Sequence, residues 1–372
     1  MSNNIISTYK FKPFHFTVLR KDCDPAQGSI YRFGYQLVCN NNAYILSFRS
    51  FNVQTNDAPG QRVMRQIWKY SLDSGEWKVV NCKNVPQELV TSYKIVTLPG
   101  DIIIIFGGIG VPSGGICRNR MYLANLANEY KENGMSFIDL EESGDVPLPL
   151  YGLGVVMDGK YIYSIGNSSG SKHEMDVHRF DLSTRKWELL YKSLGEDEDP
   201  NPRHQHKVVF SKGRIYIFGS KIRDADNFIY FGFKKIHMFD VANKQWHLFP
   251  TKPDHKEPEP GYPINRCFHS CVQCPEKSNL VYLCGGLGDF QTFNDVWRID
   301  IDTMQWGKAD QLYNASSITE RSDLDPANRS IDITGARDDD TQWKVICWEA
   351  MIHYFKEAMV LSLSMSVKEN WV

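Results

Sequence analysis

The stretch FNDVWRIDIDTMQW, residues 293–306, decides the fold, because it says almost what EMDVHRFDLSTRKW says at 174–187. Four copies of its last eleven residues align without gaps: IWKYSLDSGEW (67–77), VHRFDLSTRKW (177–187), IHMFDVANKQW (236–246) and VWRIDIDTMQW (296–306). Each copy opens on a β-branched residue and carries a large apolar residue three positions on. An Asp or Ser follows, and a Trp closes. The last three tryptophans, Trp187, Trp246 and Trp306, stand 59 and 60 residues apart. The gap from Trp77 to Trp187 holds two periods of about 55 residues, so a degenerate copy is expected inside it. MYLANLANEYKEN (121–133) fills that place, with its Trp lost.

Upstream of each copy lies another strand pair. Its second member reads AYILSF (43–48), DIIIIFGG (101–108), KYIYSIGN (160–167), RIYIFGS (214–220) or LVYLCGG (280–286), each after a short turn. Four antiparallel strands in about 55 residues make a propeller blade rather than a βαβ unit. Every blade must fill the same wedge against its neighbours, so a Trp recurs at the seam while the loops drift. The Asp closes the turn before the outer strand. The glycine doublets Gly107–Gly108 and Gly285–Gly286 let the backbone turn tightly near the axis. The reading is an all-β, kelch-type β-propeller.

Five units are legible between residues 33 and 310, and on the residues alone five- and six-bladed rings both stay open. FHFTVL (14–19), within the N-terminal segment 1–30, alternates and offers a closing strand. The propeller spans 31–312. The polar stretch 313–340 contains one candidate strand, SIDIT (330–334), and reads as an irregular segment or an abbreviated sixth blade. DTQWKVICWEAMIHYFKEAMVLSL (340–363) has apolar residues at helical spacing, so 341–372 is expected to form a C-terminal α-helix. That helix either packs on the propeller or docks in a partner's groove.

Composition excludes some classes of function. Hydrophobic residues make up 42% and charged residues 23%, ordinary for a globular chain, and the net charge of −2 gives no global field toward nucleic acid or an anionic membrane. No apolar run is long enough to cross a bilayer, and MSNNIISTYKFK lacks a signal peptide's apolar region. Nine scattered cysteines suit reduced thiols in the cytosol or nucleus. In that setting the sequons at Asn167, Asn314 and Asn328 are read as chance.

Four segments carry a family likeness: VPQELVTSYKIV…IIIFGGIGVPSGG (85–115), LPLYGLGVVMDG (148–159), PRHQHKVVFSKGRIYIFG (202–219) and NRCFHSCVQ (265–273). Over roughly residues 30 to 310 they resemble the kelch-repeat family of kelch domain-containing protein 10 and its relatives, substrate receptors of cullin-RING ubiquitin ligases. The resemblance implies six blades, a central pocket that binds the C-terminal residues of substrate proteins, and a C-terminal BC-box helix that recruits elongin B and elongin C. In the tail, Trp343, Cys347 and Met351 match the apolar spacing of that helix, although Trp343 stands where Leu is usual. The cullin-selecting segment has HYFKEAM with Lys356 in place of the expected proline, which leaves the choice of cullin open.

A substrate carboxylate needs charge-assisted donors, ideally Arg. By the resemblance, Arg223 matches one receptor Arg, while Asp226 replaces the second. The relatives' Arg-Ser-Trp-His stretch reads here Arg266, Cys267, Phe268 and His269, and Arg203 and His206 hold the same place one blade earlier. For Arg266, ligand binding and bracing of neighbouring blades stand side by side; for His206 and His269, bracing carries more weight.

Catalytic readings find less support. Cys267, His269 and Cys271 alternate along a strand, and no second cysteine pair lies at finger spacing, so no metal or other cofactor is expected. SLDSGEW (71–77) is similar to the sialidase Asp box but is one residue short and occurs once. GGIGVPSGG (107–115) lacks the Lys and the following helix of a phosphate loop. A binding module that passes substrates to a ligase is the leading expectation. A scaffold or inhibitor propeller that grips one folded partner through its loops is the alternative.

Overall fold

The computed structural model describes residues within 32–308, with breaks of which 53–66 and 109–118 are the longest. Side chains are described from Ile67 onward, apart from those breaks and 68–77, 167–173 and 221–230. The closing strand expected at 14–19, the abbreviated sixth blade at 313–340 and the C-terminal helix at 341–372 lie outside the described residues.

The described chain forms five four-stranded antiparallel meanders, each with its strands in chain order. Blade one comprises Gln36–Cys39, Tyr44–Phe48, Ile67–Ser71 and Trp77–Val80. Blade two comprises Lys94–Leu98, Ile102–Phe106, Met121–Asn125 and Met135–Asp139. Blade three comprises Gly154–Met157, Tyr161–Ser168, His173–Asp181 and Lys186–Tyr191. Blade four is built from Lys207–Ser211, Arg214–Phe218, Lys235–Asp240 and Gln245–Pro250, with an inserted hairpin, Lys221–Asp224 and Asn227–Tyr230. Blade five is built from Ser270–Gln273, Leu280–Cys284, Val296–Asp300 and Gln305–Lys308. The first strands of consecutive blades touch one another in succession, which makes them the inner ring.

Both faces of a blade are buried, and the second strands therefore read as continuous apolar runs. In blade two, Ile103 and Ile105 join the seam with blade one, while Ile104 and Phe106 join the seam with blade three. Blade four repeats the division, with Ile215 and Ile217 toward blade three and Tyr216 and Phe218 toward blade five. Each such buried side chain stabilises the fold by about 1.5–3 kcal/mol.

The recurring tryptophans behave as the repeat requires. Trp187, Trp246 and Trp306 are each buried in the seam with the preceding blade. Phe180 and Phe239, directly across the sheet from Trp187 and Trp246, lie 5.1 and 5.0 Å away between ring centroids. One expectation is corrected. The degenerate copy does not end at 133: its outer strand is Met135–Asp139, and Phe137, opposite Ala124, takes the Trp's place in the seam. A longer turn displaced the aromatic residue beyond the reach of gap-free alignment.

In blades three, four and five the Asp of the repeat closes the turn by accepting backbone N–H groups. Asp181 Oδ1 accepts from Ser183 and Thr184, Asp240 Oδ1 from Ala242 and Asn243, and Asp300 Oδ1 from Asp302 and Thr303. The incoming chain also protects outer edges. Cys82–Lys83 runs parallel to blade two's outer strand, Ser143–Gly144 to that of blade three, and Lys252 bridges to Gln305 in blade five.

Candidate functional site

The two Arg-x-x-His stretches open the first strands of blades four and five. They sit at the end of the blade where the second strand terminates in glycine. His206 and His269 are each 0% exposed and pack backward on the preceding blade. The His206 Nε2 lies 3.0 Å from the Ile165 carbonyl oxygen of blade three. The ring fits only because Gly154 and Gly166 carry no side chain: a Cβ there would fall 2.8 Å from His206 Nε2 or 3.2 Å from its Cε1. Likewise a Cβ on Gly219, whose φ is +66°, would come 2.5 Å from His269 Cε1. Burial holds the His269 imidazole well below its usual pKa, hence neutral. The geometry gives both histidines a bracing contact with the previous blade.

The arginines brace their own blades. The Arg266 Nε–H donates to the Ile264 carbonyl at 2.8 Å, and its Nη1 donates to the Gly285 carbonyl at 3.1 Å. Both Nη groups also bind the Asp295 carboxylate, Nη2 to Oδ2 at 3.0 Å and Nη1 to Oδ1. The guanidinium lies 3.8 Å from the Phe293 ring centroid, and the side chain is 0% exposed. Trp297 Nε1 donates to the same Asp295 Oδ2 at 2.7 Å. Arg266 thus spends its fork inside the blade.

Arg203 repeats these contacts one blade earlier. Its Nε–H donates to the Asn201 carbonyl at 3.0 Å, its Nη1 to the Gly219 carbonyl at 3.0 Å, and the guanidinium lies 3.9 Å from the Phe231 ring centroid. The carboxylate is missing. Asp295 immediately precedes Val296 of blade five's third strand; the residue that immediately precedes Ile236 in blade four is Lys235. Among the described residues Arg203 Nη2 has no partner, and burial alone lowers the pKa of this side chain to about 9. It therefore keeps its charge at neutral pH. The nearest acid along the sequence, Asp199, is committed elsewhere: it accepts from Tyr191 Oη, Ser193 Oγ and the Leu194 and Gly195 amides. His237, on the third strand, is held down to about 4 by burial and then by the Arg203 charge.

The remaining candidates divide by location. Cys267 is fully buried beside Arg266. Arg223 lies opposite Phe228 in blade four's inserted hairpin. Its side chain, Phe268, and Trp343, Cys347 and Met351 fall outside the described residues. Burial pushes the thiols of Cys271 and Cys284 up, the latter to about 12. Among the described residues no group of three or more His, Cys, Asp or Glu side chains could hold a metal ion. Asp295 and Lys235 escaped the sequence reading. The signal was the residue just before each third strand, where aligned repeats differ in sign of charge.

Comparison with known proteins bears on what these blades are for. Residues 36–263 match the model of the KLHDC2/KLHL20/DRC7 Kelch-repeats domain, more than half of the chain. The chain belongs to this kelch family. It is similar to kelch domain-containing protein 10 of Xenopus tropicalis, 27% identical over 346 residues that cover 87% of this chain and 79% of the relative. It is also similar to the human protein of that name, 28% identical over 74% of this chain and 60% of the relative, and to the Drosophila melanogaster homologue, 27% identical over 81% and 51%. A kelch propeller of this family is a protein-interaction domain.

Proposed function

We propose that the chain is the substrate-recognition subunit of a cullin-RING ubiquitin ligase, a non-catalytic receptor in the cytosol or nucleus. Its propeller takes the C-terminal peptide of a substrate protein at the glycine-ended face, and its C-terminal segment binds elongin B and elongin C through Trp343, Cys347 and Met351, which couple it to a cullin. The similarity to kelch domain-containing protein 10, running over 87% of the chain and so extending past the repeats, is the observation that carries this reading. Co-purification of the full chain with elongin B and elongin C tests it. Association should be lost on Cys347→Asp, since a charge on the apolar face of the docking helix has no partner. Failure of the intact chain to capture elongins would sink the ligase role.

A second reading, a scaffold that grips a folded partner through its loops, is favoured by one observation. Arg266, a candidate carboxylate anchor, has its guanidinium committed to Asp295 within blade five. Partner capture that survives deletion of 341–372 distinguishes this reading from the first.

A further inference from the structure

The outer edges of the blades are not treated alike. In blades three and five the incoming linker lies along the outer strand, and the sixth residue after the previous blade's seam aromatic makes the first bond. Ser143 N–H donates to the Arg185 carbonyl at 3.3 Å, and Lys252 N–H to the Met304 carbonyl at 2.7 Å. Two residues on, an aspartate accepts an outward amide of that strand: Asp145 Oδ2 from Leu189 at 3.2 Å, and Asp254 Oδ2 from Lys308 at 2.7 Å. The linker into blade four departs at both positions. Its sixth residue after Trp187, Ser193, donates its amide to Asp176 instead, at 2.9 Å, and its eighth is Gly195 where the others have Asp. Asp199 accepts the Leu194 and Gly195 amides, which curls the linker on itself.

Blade four's outer strand, Gln245–Pro250, is left bare. Trp246 lies opposite Phe239 as Trp187 lies opposite Phe180, so in this shared register Trp246 and Leu248 turn their backbone groups outward. Among the described residues no backbone group pairs with them, whereas blades two and three gain a fifth strand on this edge. Leu248 is 42% exposed and Phe249 36%. Such an edge is a template for another chain unless charge, proline or a covering segment blunts it. Pro250 ends it on one side. No acidic residue lies on the strand, and the exposed Lys235 and Lys244 flank its two ends, Lys244 in a loose surface pair with Glu188 at 3.3 Å.

We propose that the outer edge of blade four docks an extended acidic segment of a partner protein, which adds as a parallel fifth strand. The segment that covers blade three sets the chemistry of the occupant. It carries a small residue, an Asp that accepts the Leu248 N–H, and an apolar side chain that lies against Leu248, in the order Gly144, Asp145, Val146. The flanking lysines favour its negative charge. This site is separate from the peptide-receptor and elongin readings and stands without them.

The experiment is calorimetric titration of the full chain with acetyl-EESGDVPL-amide, the sequence of residues 141–148. Saturable one-to-one binding is expected. Methylating the amide nitrogen of the peptide's Asp removes its donor to the Trp246 carbonyl and should weaken binding by about tenfold or more. Leu248→Pro removes an outward N–H and leaves the ladder to the third strand whole, so the variant should keep its Tm and lose the peptide. The methylated peptide decides the matter even where the proline variant unfolds, because it leaves the protein unchanged. Absence of binding by the parent peptide, equal affinity for the methylated one, or undiminished binding to folded Leu248→Pro would each overturn the proposal. Concentration-dependent dimerisation that Leu248→Pro abolishes would assign the edge to a second copy of the chain and overturn the assignment to a partner.

Discussion

Blades four and five pose one electrostatic problem and answer it differently. Both bury an arginine against a phenylalanine and tie it to a glycine carbonyl; blade five adds Asp295, and blade four has Lys235 in register. Burying a charge costs several kcal/mol, and a counter-charge with good geometry offsets it. A repeat can therefore keep the cation's place without the anion.

Removing the anion where it is present should have the largest effect. Asp295→Ala strips two acceptors from Arg266 and the acceptor of Trp297 Nε1, and a loss of about 3–5 kcal/mol is expected. Arg203→Met removes a charge without a carboxylate partner but also the donors to the Asn201 and Gly219 carbonyls, so it should cost less than Asp295→Ala. Denaturant titrations of the two variants check the contrast. Comparable losses would mean that the blades treat their arginines alike.

A third treatment of a buried charge lies at the seam of blades two and three. Glu142 accepts from Met121 N–H and Trp187 Nε1, and burial raises its carboxyl to about 7. Its folded-state pKa lies above the unfolded value, so the neutral form stabilises the fold. That contribution is fully present below about pH 4.5 and is lost as pH rises through about 7. The change is at most about 3 kcal/mol for a shift of this size. Denaturation midpoints between these limits should fall with pH in the wild type and less steeply in Glu142→Gln. The variant will also lose stability throughout, because an amide offers one acceptor to two donors. Parallel pH curves would remove Glu142 from the balance.

The indole groups extend the contrast on a smaller scale. Trp306 Nε1 donates to the Phe233 carbonyl at 3.1 Å, whereas Trp246 Nε1 has no partner. Trp306→Phe should therefore cost more than Trp246→Phe by about 1 kcal/mol, the net worth of one hydrogen bond. A reversed order would show that the Trp246 indole finds an acceptor in solution.

What was legible in the sequence follows the same division. The strands, seam tryptophans and turn-closing aspartates repeat because each blade faces an identical neighbour, and repetition makes them visible. Phe137 was missed because a lengthened turn moved it out of register. The candidate site was read as two similar Arg-x-x-His stretches, and sequence could not rank them. Their difference depends on a residue 29 positions downstream of Arg266, Asp295, which meets it only when the third strand folds back beside the second. Long-range pairing of that kind leaves no local pattern.

The smallest effect tests whether blades four and five differ only where the arginines lie. Their outer turns share one strained position, with Lys244 at φ +54° and Met304 at φ +58°. Glycine adopts this left-handed conformation without steric penalty, and the copy in blade one has Gly75 there. Lys244→Gly should gain about 0.5–1 kcal/mol, since its exposed pair with Glu188 contributes little. Met304→Gly relieves the same strain but gives up a side chain packed on the seam of blades four and five, so its gain should be close to nil. Thermal melts resolve the two. Equal gains would show that Met304 contributes no packing, and a loss in Lys244→Gly would show that the left-handed turn is not strained.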